Sequence, residues 1–126
     1  MNDKEKEMAI QTVKKVLHVM HSKEYKKLPE CVDEMEWSDT EEIEEAVQGT
    51  LEMNGFDTID EYGVPCNFHP DYEYHQMNFY EFNNGSGFSI DYDMTSDSEL
   101  TDLVLILKFF YTDNGSKRVL LSIDPQ

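Results

Sequence analysis

Residues 4–21 repeat apolar side chains three and four apart: Ala9, Val13, Val16, Leu17 and Met20 share one stripe, with Lys and Glu opposite. That is the period of an amphipathic helix packed on a core. A second helical pattern carries Tyr25, Leu28, Val32 and Met35, with Ser22 as its N-cap. Pro29 lies inside it and kinks or restarts it. Ser38-Asp39-Thr40-Glu41 then has capping-box spacing, Ser38 as N-cap and Glu41 at the third helical position. The helix that follows buries Ile43, Ala46, Val47 and Leu51, and Asn54-Gly55 stops it with Gly55 in the left-handed conformation.

Residues 56–71 read as a loop punctuated by Gly63, Pro65 and Pro70. The period then shortens to two. Tyr72 to Phe82 is the first predicted strand, and the parity of its aromatics changes between Tyr74 and Phe79, which implies a bulge. Asn83 to Gly87 forms a hairpin loop. Phe88, Ile90, Tyr92 and Met94 alternate with Ser89, Asp91 and Asp93, so the second strand has one apolar and one polar face. Residues 95–101 connect it to Leu103–Tyr111, which is nearly all apolar and reads as a central strand covered on both faces. Asp113-Asn114-Gly115 turns the chain, and Val119 to Ile123 closes the sheet. Helices before strands predict a single α+β domain over residues 1–126. N-terminal helices pack on one face of a curved antiparallel four-strand sheet.

Composition adds that this domain folds despite its charge. The net charge is −17, yet aromatic residues make up 12% of the chain, a density that disordered acidic segments lack. The charge is also segregated. From Leu28 to Leu107 there is no Lys or Arg among 80 residues that carry 21 Asp and Glu, while seven lysines precede Leu28. A surface of one sign attracts basic ligands and repels nucleic acid and anionic lipid. Cys31 and Cys66 lack CxxC spacing, and no apolar signal core or membrane-length run is present, so a cytoplasmic location with reduced thiols is expected.

Catalytic and metal motifs are each opposed by a specific residue. Asp91, Asp93, Asp97, Glu99 and Asp102 have calcium-loop spacing, but Ser96 stands where the loop needs Gly and Asp102 where it needs Glu. His18 and His21 lack a third ligand nearby, and Cys66, His69 and His75 follow no zinc spacing. A thiol nucleophile has no cation in its window to lower its pKa. The expectation is a non-enzymatic protein with no catalytic residue, metal or cofactor. Its partner-binding candidates are Glu41, Glu42 and Glu45 in the first turns of a helix and Asp91 and Asp93 on a strand's polar face. Asp97 and Glu99 in the acidic connection and Tyr80 and Tyr92 as aromatic anchors complete the set.

The element order resembles the cystatin-like, nuclear-transport-factor-2-like cone folds. Residues Glu42 to Leu51, Asp57 to Gly63 and Asp97 to Leu103 resemble a small uncharacterised bacterial domain family. Its members are similar to immunity proteins of polymorphic toxin systems. The resemblance implies a binding role and carries over no catalytic residue. The expected function is capture of a basic, nuclease-type toxin by an acidic immunity protein. That protein is a monomer or weak homodimer that binds neither nucleic acid nor membrane. The alternative is a small-molecule or hydrolytic site in a pocket between sheet and helices. A third reading gives the charge no role beyond solubility.

Overall fold

The computed structural model describes residues 1–37 and 39–125. The chain is α+β. Helix α1 spans Asp3–His21, α2 Thr40–Met53, and a short 3₁₀ helix, Tyr25–Glu30, lies between them. The strands are β1 (Glu34–Met35), β2 (Met77–Glu81), β3 (Gly87–Ser96), β4 (Glu99–Tyr111) and β5 (Lys117–Pro125). They form one sheet in the order β1-β5-β4-β3-β2. β2 to β5 are an antiparallel meander, and β1 runs parallel to β5.

The sheet thus has five strands and is mixed, where the hydrophobic pattern predicts four antiparallel ones. Glu34 and Met35 pair with Leu120 and Leu121, and two residues are too few to show a period. The second predicted helix is a 3₁₀ helix instead. It ends at Glu30 because Pro29 cannot continue an α-helical ladder. Ser22 caps the end of α1 rather than starting a new helix. At the start of α2 the capping residue is Asp39, whose carboxylate accepts the Glu41 amide at 2.9 Å, and Ser38 lies outside the described residues. Gly55 does sit in the left-handed region, at φ 78°.

Two strand boundaries also move. Tyr72 to Gln76 are not in a strand; β2 begins at Met77, past the parity change, and its register against β3 is continuous. The register break falls between Asp93 and Thr95 instead, opposite Asp102, which adopts φ 67°. The connection predicted over residues 95–101 shrinks to Asp97-Ser98, a two-residue turn with both residues at positive φ.

One core holds the domain together. Val13, Leu17 and Met20 of α1, Ile43 and Val47 of α2, and Tyr25 and Leu28 between them cluster with Phe88, Ile90, Leu105, Leu107 and Phe109 of the sheet. The Phe88 and Phe109 rings stack at 4.8 Å. At the start of β3 the backbones crowd: a Cβ on Gly87 would lie 1.9 Å from the Phe109 carbonyl oxygen. All of these sheet residues project from the same face. β4 is central, but the core takes only its alternate residues Leu103, Leu105, Leu107 and Phe109. Val104, Ile106, Lys108 and Phe110 point the other way and lie outside the core cluster. The expectation that β4 is covered on both faces is therefore corrected: the helices cover one.

Candidate functional site

The uncovered face is built from the strands' other parity. On β3 it presents Ser89, Asp91 and Asp93; opposite them in β4 stand Lys108, Ile106 and Val104. The next strand adds Leu120, Ser122 and Asp124 in register with those three. β2 contributes Asn78 beside Asp91 and Tyr80 beside Ser89. Val104 therefore lies between two carboxylates, Asp93 and Asp124.

Those carboxylates are constrained. Burial raises the pKa of Asp91, and the charges of Asp93 and Asp124 raise it further against the pull of Lys108. Asp93 accepts a hydrogen bond from the Tyr74 hydroxyl at 2.7 Å, and its backbone carbonyl accepts one from the Gln76 side chain at 2.9 Å. Burial first, and then the bond to Asp93, push the Tyr74 hydroxyl's pKa up. The far end of the face is aromatic. Phe82 and Phe110 lie 5.6 Å apart, and the Arg118 guanidinium sits 4.8 Å above the Phe110 ring. Phe82, Phe110, Lys108 and Glu81 line an open groove of about 530 Å³.

The other candidates lie elsewhere. Tyr92 is on the covered face, 5% exposed, beside the Tyr62 ring. Burial and the nearby Tyr62 and Asp60 push its pKa up to about 12. It belongs to the core rather than to an accessible surface. Glu41, Glu42 and Glu45 are exposed on α2, in the layer that packs against the opposite side of the sheet. Asp97 lies in the β3–β4 turn and Glu99 is the first residue of β4 after it. Asp60 holds that turn: its carboxylate accepts the amides of Asp97 at 3.0 Å and Ser98 at 2.8 Å, and the Thr95 hydroxyl at 2.8 Å. The structure therefore brings Asp91, Asp93 and Tyr80 onto one face and leaves the other two acidic groups apart from it.

Asp124 and Asp60 were missed by the sequence reading. For Asp124 a signal existed. If Val119, Leu121 and Ile123 face the core, Ser122 and Asp124 must face away. For Asp60 none did, since its partners lie 35 to 38 residues away in the chain.

The uncovered face carries two cations of its own, Lys108 and Arg118, and the other paired or stacked cations lie away from its carboxylates. The N-terminal amine pairs with Glu81, Lys23 with Asp57 at 2.8 Å, and Arg118 with Glu34 at 2.5 Å. Lys27 and Lys117 pair with acids outside the cation-free stretch, Glu24 and Glu5. Lys6 and Lys14 lie over the Phe79 and Tyr62 rings. Among the described residues, Asp91, Asp93 and Asp124 have no cationic partner within ion-pair distance.

Among the described residues no three His, Cys, Asp or Glu side chains stand together as a metal site. No helix among them is long and apolar enough to cross a membrane. Between sheet and α2, the recess at Trp37, Ile43 and Ile123 is too small for a water molecule. A family model described as a domain of unknown function (DUF7668) matches residues 17–125. No curated protein and no solved structure matches the chain.

Proposed function

The chain belongs to the DUF7668 family, whose description assigns no activity, and on that premise we propose that it is a non-enzymatic acidic binding protein for a basic protein partner. The partner best suited to it is a nuclease-type toxin, with this chain as the immunity protein. Nucleases hold phosphate with Lys and Arg, and an acidic surface competes for those side chains. The observation that carries the reading is that Asp91, Asp93 and Asp124 share one sheet face and, among the described residues, have no cation within ion-pair distance. Of the seven amino-terminal lysines, Lys23 pairs with Asp57 and Lys27 with Glu24, Lys6 and Lys14 lie over aromatic rings and the others are exposed, so none of them meets Asp91, Asp93 or Asp124. The helices-then-meander order supports a cystatin-like, nuclear-transport-factor-2-like plan, with β1 as an added edge.

The test is kinetic. The chain is mixed by stopped flow with a basic toxin domain encoded beside it. The association rate is expected to fall about a hundredfold between low and high salt. A rate that stays level across that range removes the proposal.

A further inference from the structure

Resting on that reading, we infer that the basic partner docks on the uncovered face of the sheet and lays an amphipathic helix across it. An apolar residue of that helix enters the Phe82–Phe110 groove, and its Lys or Arg residues reach Asp91, Asp93 and Asp124.

The backbone groups of β3 and β4 are already paired with strands on both sides, so this face offers side chains only. What packs on such a face is a helix or a second sheet. The protein's own helices occupy the opposite face and leave this one open. A second sheet from another copy would bring together two chains of net charge −17, which opposes association.

The face is also graded in a way that fixes an orientation. Phe110 and Val104 are six residues apart on β4, about 20 Å of strand, or about 13 residues of helix. One end of that span is aromatic with Lys108 and Arg118 beside it; at the other Asp93 and Asp124 flank Val104, with Asp91 one step back opposite Ile106. Ile106 lies between them, half-buried and outside the core cluster. A docked cation would relieve the crowding of Asp91 by Asp93 and Asp124. Tyr74 already holds Asp93 in place, which lowers the ordering cost of meeting a cation there. Glu41 and Glu42 on α2 contribute to attraction at a distance and not to the docked contact.

The experiment uses the full chain and a synthetic Leu/Lys amphipathic peptide of about 14 residues. Binding is titrated at low salt for the wild type and for two double variants, Asp91→Asn with Asp124→Asn and Glu41→Gln with Glu42→Gln. Both pairs remove two charges. The sheet-face pair is expected to weaken binding about tenfold and the α2 pair less than about twofold. Amide chemical shifts of the wild type, which need no variant to fold, are expected to move most at residues 104–110. Equal losses from both pairs, or shifts centred on residues 41–45, overturn the docking face while leaving the binding function intact. No saturable peptide binding at low salt overturns both. A dimer of the free chain in sedimentation that Ile106→Asp dissolves assigns the face to a second copy and also overturns the inference.

Discussion

The two faces of the sheet are drawn from alternate residues of the same strands, yet they do different work. The covered face carries Phe88, Ile90, Leu105, Leu107 and Phe109, all fully buried under α1 and α2. The uncovered face carries Asp91, Asp93, Lys108 and the half-buried Ile106 and Phe110. The difference shows that apolar character in a strand is not a measure of burial under helices. Four of β4's apolar residues, Leu103, Leu105, Leu107 and Phe109, join the core, while Ile106 and Phe110 on the other parity stay half-buried. The latter two are what the fold leaves over for a partner.

A paired truncation tests this contrast most strongly. Phe109→Ala opens a cavity beside Phe88 and is expected to cost about 3–5 kcal/mol in denaturant unfolding. Phe110→Ala, one residue later on the other face, loses contacts with Phe82 and Arg118 and is expected to cost about 1 kcal/mol. Similar costs for the two would erase the distinction between the faces.

A second test concerns the turn that joins β3 to β4. Asp60 comes from the loop after α2 and satisfies two turn amides and a buried hydroxyl. Asp60→Ala is expected to lower stability by about 2–3 kcal/mol, and Asp60→Asn by about 1 kcal/mol, read from urea midpoints. An unchanged midpoint would mean that Asp97 and Ser98 hold their positive φ angles without help. Of the acidic groups near the hairpin, Asp60 would then lose its structural role.

The smallest effect belongs to Asp91. Its folded pKa is raised, chiefly by burial, so the folded state holds the proton more tightly than the unfolded chain does. Stability from this group is therefore highest below its ordinary pKa of 3.8 and declines as pH rises from there through the raised folded value. Asp91→Asn is expected to gain slightly on the wild type at neutral pH and to lose that advantage in acid. Thermal melts across pH 3–7 read the difference, and a variant less stable at neutral pH would contradict the crowding of this face.

Much of this was legible in the chain. The alternation from Phe88 to Met94 identified β3 and set Asp91 and Asp93 on its polar face, because side chains in a strand alternate strictly. The stripe of α1 and the apolar residues of α2 were equally plain. β1 was not, since two residues carry no period and their pairing with β5 is a contact across more than eighty positions. The 3₁₀ helix was hidden because Tyr25 and Leu28 suit either helix type, and only Pro29 hinted at the break.

Periodicity and charge by themselves determined that this chain is an α+β domain with an acidic, cation-free stretch, because both are properties of neighbouring residues. Which face of the sheet the helices cover, that Asp124 joins Asp91 and Asp93, and that the lysines pair elsewhere were decided only by the tertiary structure. Those outcomes depend on register and packing between segments far apart in the chain, and local spacing carries no record of them.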